Sequence, residues 1–568
     1  MAQDLSDEHA WQLSQEFRLA SNFSGPFNFS AGGNYLHYET EENYYVFINT
    51  LTLYSVSSEG TSGIPWASGI SDNHECLDST GYGFVPLDPR VHISAPVAYC
   101  NYIDPNPISK VNNEGHNYFL SQNPYTLNSY AAFGEVYYNV LNDLKLTTGL
   151  RWTEDRKHFD DIPSELLTDG WGYYQTGVVN QQWDQFTGRA AVNWTPKLEF
   201  TDQTLVYASY AHGYKAGGAN PPGAALLGDS AGAIDFPDHP LTFKPEFIDA
   251  FELGSKNTLL DGALTLNADV FYYNYENYQI SEIVDRTAIN QNFDAHVKGA
   301  EVESTWEPIP GLRFNFAGGW EDTAVAKGQN AIDLMDRTAG NPDWIVVKPY
   351  PTQASNCILP TYVVAALINP NASGGILAEA CGTAYSGGET GAIGGNLSSF
   401  DPVTQLPYVP NPTVAGQGTT GFVPYIPPGY PGFNPATAPN NGEGFSKDLS
   451  GNKLPNAPPF TVSFGSQYTI PLTTNWAGTA RADYYWQDYS WARVFNDNPY
   501  DRLRGYTNVN LTLIFTNQNG WQVMLYDKNV FNETAITGDF LNSDDSGLTT
   551  NVFLTDPKLI GIRVTKNW

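Results

Sequence analysis

Apolar and polar residues alternate with a period of two in one stretch after another along this chain. Within residues 143–152, Leu144, Leu146, Leu150 and Trp152 oppose Lys145, Thr147 and Arg151. Leu264, Leu266, Ala268, Val270 and Tyr272 oppose Thr265, Asn267 and Asp269, and Val509, Leu511, Leu513 and Phe515 oppose Asn510 and Thr512. Period two is the repeat of a strand with one apolar and one polar face, so the chain reads as all-β. No apolar run approaches the roughly 20 residues that a helical membrane span needs. Alternation by itself suits two architectures: a soluble sandwich with apolar faces inward, or a barrel with apolar faces toward lipid.

The connections separate the two. Short turns at 22–26, 141–143, 260–262, 307–311, 471–475 and 517–520 alternate with long loops near 41–125, 157–182, 216–244, 325–457 and 532–550. Short periplasmic turns and long extracellular loops produce that rhythm, whereas a sandwich has no reason to put every long loop at one end. The C-terminal strand agrees. Ile560, Ile562, Val564 and Trp568 fall on one face, interrupted by Lys566, and a final aromatic belongs at a membrane interface. The expected fold is a transmembrane antiparallel β-barrel.

Counting back from Trp568, placed on the periplasmic side, gives every strand a direction. About 15 strands are expected, the first from Trp11 to Ser21 running from outside to inside. Single-chain bacterial barrels have an even number of strands and both termini inside, so this count predicts an incomplete barrel. The 325–457 segment is rich in Gly, Pro, Asn and Ala, yet alternating strands resume at Pro459. It reads as one long extracellular loop interrupting a single barrel unit over 10–568.

A net charge of −32 argues against nucleic acid as a partner and against a polybasic membrane anchor. It suits solubility, or acidic extracellular loops facing divalent cations and lipopolysaccharide. The four cysteines form two local pairs, Cys76 with Cys100 and Cys357 with Cys381. None lies in metal-ligand spacing, so two loop disulfides in an oxidising compartment are expected, with free thiols as the alternative. The N-terminal residues lack the basic and apolar regions of a signal peptide, in conflict with an exported body.

No enzyme constellation is present: the G-x-S-x-G, H-E-x-x-H and P-loop patterns are absent and the nine histidines are scattered. No cofactor or resident metal is expected. His74-Glu75-Cys76 and Asp544-Asp545-Ser546-Gly547 are better read as solvated loops than as metal sites, and Asp160-Asp161 with Glu165 as a solvated run. Tyr207, His212 and Lys215 are the candidate ligand contacts near the barrel mouth, while Tyr210 and Tyr214 read as an outer interfacial girdle. Arg151, Asp269, Glu301 and Glu303 are expected in the lumen, in charge pairs or against a plug or substrate.

Several stretches resemble the barrel of TonB-dependent outer-membrane receptors, the iron-complex branch in particular. Gln15-Glu-Phe-Arg-Leu-Ala-Ser21 is similar to the family's S-Q-E-x-R-L-x-S strand. Thr148-Gly-Leu-Arg-Trp-Thr-Glu-Asp-Arg-Lys157 is similar to G-L-R-Y-T-x-D-x-K, and residues 205–218 to Y-x-S-Y-S-x-G-Y-K-x-G-G. Lys244-Pro-Glu246, Phe251-Glu-Leu-Gly-Ser-Lys256, residues 297–303 and Lys528-Asn-Val-Phe-Asn532 follow in the family's order. The chain departs from the pattern at Lys566, Trp568 and Asn532, and no plug domain or TonB box is recognisable.

Family members close roughly 22 strands around a plug, so the resemblance implies that these are the last fifteen or so, in a truncated or split frame. It further implies capture of a scarce ligand such as a ferric siderophore, an iron chelate too large for porins. Transport would be energised by the TonB–ExbB–ExbD complex, in an outer membrane entered through the barrel-assembly machinery. The competing expectations are a passive porin-like barrel and a secreted all-β glycan-binding protein.

Overall fold

The computed structural model describes residues 2–48, 119–161, 165–166, 177–220, 242–284, 287–348, 356–367, 381, 408–410, 422–424, 438–541 and 550–567. Fifteen strands follow one another in a single antiparallel path. They are β1 (Ala2–Ala20), β2 (Phe27–Ile48), β3 (Phe119–Leu141), β4 (Leu144–Asp161) and β5 (Gly177–Trp194). Then come β6 (Gln203–Lys215), β7 (Glu246–Leu259), β8 (Leu264–Val284), β9 (Thr287–Ile309) and β10 (Leu312–Val325). The path ends with β11 (Phe460–Pro471), β12 (Trp476–Gln487), β13 (Tyr506–Asn517), β14 (Trp521–Lys528) and β15 (Leu559–Lys566). Glu165–Leu166 adds a short partner to β3. Among the described residues β1 and β15 are the two edges of the path.

Each strand pairs with its sequence neighbour, so every odd-to-even connection lies at one end and every even-to-odd connection at the other. The first set is tight. The β7–β8 turn places Leu260, Asp261 and Gly262 at φ of 59°, 55° and 84°. In the β9–β10 turn Gly311 has φ 84°, and a Cβ there would meet the Thr469 carbonyl oxygen at 2.4 Å, so only glycine fits. The second set holds the long segments.

The sheet's faces decide between sandwich and barrel. Leu150, Leu253 and Ile562 are 60%, 55% and 65% exposed, and none of the large apolar residues that share their faces is buried. A sandwich would bury that face against a second sheet; here it forms the outside. On β4 the apolar outer face runs from Leu144 to Trp152, about 26 Å along the strand at ~3.3 Å per residue. A tilt of about 40° reduces this to roughly 20 Å of membrane thickness, close to the ~25 Å belt of outer-membrane barrels. Glu154, Arg156, His158 and Asp160 then continue the same face, which marks where lipid ends.

The strand order agrees with expectation, but the strands run further toward the long loops. β1 begins at Ala2 rather than Trp11, and the ladder continues through Ala2↔Ile48 and Val46↔Phe119 into the segment expected as loop. Beyond the belt neither face meets lipid, so the apolar/polar alternation stops while backbone pairing goes on. β8 and β9 extend likewise, leaving only residues 285–286 between them.

The buried core lies on the inner face at the long-loop end. Phe293, Ala295 and Val297 of β9 and Val325 of β10 pack against Ala331, Leu449, Leu454, Val494 and Phe495. Both ends of the 325–457 segment, expected as one long extracellular loop, thus fold inward onto the wall.

Candidate functional site

The inner face is charged, with arginine–carboxylate pairs on β1–β5 and a cluster of carboxylates on β7–β10. On β1–β5, Arg189 donates to both Glu135 carboxylate oxygens at 2.9 Å, and Arg18 pairs with Glu16 at 3.0 Å. The Arg18 and Arg151 guanidinium carbons lie 5.4 and 5.7 Å from the centre of the same Phe133 ring. These side chains line a concavity of about 440 Å³. On β7–β10 the same face carries Glu252, Asp269, Glu301, Glu303 and Glu321. Asp269 stands directly across from Glu301 in the ladder. Lys256 lies there too, over the Tyr207 ring at 5.8 Å. Arg151, Asp269, Glu301 and Glu303 therefore occupy the polar inner face expected of them.

The three expected ligand contacts do not come together. Tyr207 is on the inner face, where its hydroxyl donates to Glu252. Gly254 gives its ring room, since a Cβ there would sit 2.6 Å from it. Lys215 shares that face but lies eight residues, roughly 26 Å, further along the strand. His212 points outward, 2.8 Å from Asp249, which also accepts from Tyr210 at 2.7 Å. An even offset keeps residues on one face of a strand and an odd one reverses it, which the numbers 207, 212 and 215 already show. Tyr210, 38% exposed, sits on the outer face as a girdle residue would.

Ile560, Ile562 and Val564 share the outer face of β15, while Trp568 lies outside the described residues. So do Cys76, Cys100, His74, Asp544 and Asp545. Cys357 and Cys381 form a disulfide, buried with Val347, Leu359, Val363 and Ala438. Among the described residues no group of three or more His, Cys, Asp or Glu side chains is arranged to hold a metal ion.

The long-loop end is held by an ion network. Asp333, 1% exposed at the side chain, accepts from Arg493 at 2.7 Å and Lys447 at 3.1 Å. Lys447 also reaches Asp336 at 2.9 Å and Asp497 at 2.6 Å, and Arg493 reaches Asp501 at 2.7 Å. Burial alone would raise the Asp333 carboxyl, but Arg493 and then Lys447 hold it below the ordinary carboxylate value. Burial likewise opposes the charge on Lys447, yet its three aspartates keep it well above the ordinary lysine value.

Lys447 sits on the short strand Ser446–Asp448, which pairs with Asn330–Ile332 just before Asp333. Arg493 follows Ser490–Trp491, which pairs with Arg502–Leu503. The network thereby clamps both ends of the β10–β11 segment to the β12–β13 segment. Its members come from three separate stretches, at 333–336, 447 and 493–501, and form no local motif, so the sequence gives no signal for it.

Residues 2–358, well over half of the chain, match the family described as TonB dependent receptor-like, beta-barrel. Among solved structures the chain is similar to the ferric yersiniabactin uptake receptor FyuA from Yersinia pestis. That match has 13% identity and a TM-score of 0.54, over 99% of this chain and 55% of that one. The ferric preacinetobactin receptor BauA from Acinetobacter baumannii matches at 11% identity and TM-score 0.48, over 99% and 55%. The copper transporter OprC matches at 11% and 0.49, over 98% and 57%. The chain thus spans little more than half the length of these proteins. With an apolar belt outside, a charged wall inside and long segments gathered at one end, this chain belongs to the TonB-dependent receptor β-barrel family, transport receptors of the bacterial outer membrane.

Proposed function

We propose that the chain forms the wall and outer mouth of a receptor that takes up a scarce metal chelate, a ferric siderophore before other ligands. The observation that supports this reading most is the folded-in mouth. A passive pore gains conductance from an open entrance, whereas here the two ends of a long extracellular segment pack onto the inner wall and are fastened by the Asp333 network. A receptor needs such an ordered outer surface to recognise its ligand before admitting it. Uptake would draw on the TonB–ExbB–ExbD complex, as in the rest of the family. The outward face of β15, with Ile560, Ile562 and Val564, is the strand the assembly machinery would engage, and the charged residues above the belt would meet lipopolysaccharide.

The test is uptake by a receptor-deficient Gram-negative host expressing the protein. Iron-55 chelates of hydroxamate, catecholate and mixed-donor type, and copper, are supplied in parallel with and without a functional TonB. Accumulation of one chelate that requires TonB is the expected result. A persistently open channel in planar bilayers, or uptake indifferent to TonB, overturns the reading.

A further inference from the structure

We propose that Asp539 is a protonation-dependent latch that fastens the Ile536–Leu541/Thr550–Leu554 hairpin onto the Asp333–Arg493–Asp501 network at the extracellular mouth. This hairpin belongs to the β14–β15 connection and stands apart from the main sheet. It docks through the face that carries Asp539 and Leu541: Leu541 packs against Ile289 of β9 and Leu334. Two residues earlier on the same face is Asp539, whose strand packs against Arg502–Leu503 and which feels the charges of Asp501 and Arg493.

The charges at this contact do not balance. Asp501 is 4% exposed at the side chain and already holds Arg493 through the Nε and Nη2 atoms, at 2.9 and 2.7 Å. The third guanidinium nitrogen is committed to Asp333. The other cations near the hairpin are engaged elsewhere: Arg504 donates to the Thr534 carbonyl, and Arg502 lies over the Tyr489 ring at 4.2 Å. Glu533, at the hairpin's base, accepts from the Thr507 amide at 3.3 Å. Thr550–Leu554 brings no charged side chain. Oδ1 of Asp539 is buried without a hydrogen-bond partner. A carboxylate placed there gives up water, gains no donor and faces a second carboxylate; a neutral carboxyl avoids the last two penalties.

Burial, and then the Asp501 charge, push the Asp539 carboxyl up from 3.8 to about 6, against the weaker pull of Arg493. Because the docked value is raised, docking is strongest below pH 3.8 and weakens as pH rises through 6. Those two values give at most about a tenfold loss in the docking equilibrium between pH 5 and pH 8, an upper limit because part of the group is solvated. Such a latch would hold the mouth hairpin closer in an acidic medium than in a neutral one.

The test is hydrogen exchange of the folded full chain, read by mass spectrometry over 536–541 and 550–554 from pH 5 to pH 8 and corrected for intrinsic rates. Protection of the wild-type hairpin should fall several-fold over that range, while Asp539→Asn stays flat at the acid level. Amides of β7–β9 in the same experiment report whether the variant has folded, and Asp539→Ser serves if the asparagine variant has not. Flat wild-type protection overturns the proposal. So does a fall that persists in the neutral variants.

Discussion

The assignment of faces is tested most directly at Val302 and its neighbour Glu301. Val302 lies on the outer face of β9, opposite Ala268 of β8, midway between the Leu264↔Trp306 pair at one end of the belt and the Tyr272↔Lys298 pair at the other. Val302→Arg therefore puts a guanidinium near the middle of the hydrocarbon. The depth dependence for outer-membrane barrels sets the cost at about 2–4 kcal/mol, falling toward zero at the interfaces. Glu301 points the opposite way and stands across from Asp269, with Glu303 two residues along. Like charges directly opposed destabilise a sheet, so Glu301→Gln should stabilise by about 0.2–1 kcal/mol. Adjacent residues thus give changes of opposite sign. Urea unfolding of protein refolded into lipid vesicles, followed by tryptophan fluorescence, measures both. Tolerance of Val302→Arg within about 1 kcal/mol, the limit expected only near an interface, would refute the lipid-facing assignment and with it the membrane topology.

Three further predictions concern packing. Arg493→Ala strips buried Asp501 of its guanidinium and leaves Asp333 to Lys447, so it should loosen the mouth by about 3–5 kcal/mol; Asp333→Asn should cost less, which exchange rates over 330–332 and 446–448 would show. Cys357→Ser opens a loop of sequence separation 24 and should cost the surrounding cluster about 3 kcal/mol, read as lost protection over 357–363. Gly254→Val drives a side chain into the Tyr207 ring; about 1–3 kcal/mol should be lost in the same urea assay and largely recovered in Gly254→Val/Tyr207→Ala. A Gly254→Val variant as stable as wild type would mean that the ring does not lie over the glycine.

How far the sequence reaches depends on where a residue sits relative to the lipid. Within the belt the apolar/polar pattern is enforced at every second position, because an outward polar group in hydrocarbon costs several kcal/mol. Leu144–Trp152 and Ile560–Val564 were legible for that reason, as were the strand order and the inner placement of Arg151, Asp269, Glu301 and Glu303. Past Trp152 the constraint lapses. β1 and β2 go on pairing through Asp7, Glu8, Glu41 and Glu42, and nothing in those letters separates strand from loop. The ligand trio failed for another reason: Tyr207, His212 and Lys215 were grouped by nearness in sequence, but strand parity turns His212 to the outside.

What the sequence determined by itself is the membrane-facing half of the protein: all-β, fifteen alternating strands, an apolar outside and a charged inside. Solvent contact imposes these rules locally, one residue at a time. Only the tertiary structure decided the mouth. Asp333, Lys447, the Arg493–Asp501 pair and Asp539 lie on four stretches far apart in the chain, and each alone reads as an ordinary surface charge. Their burial follows from the inward fold of the long segments onto Phe293, Ala295 and Val297. Long-range contact of that kind leaves no period in the sequence.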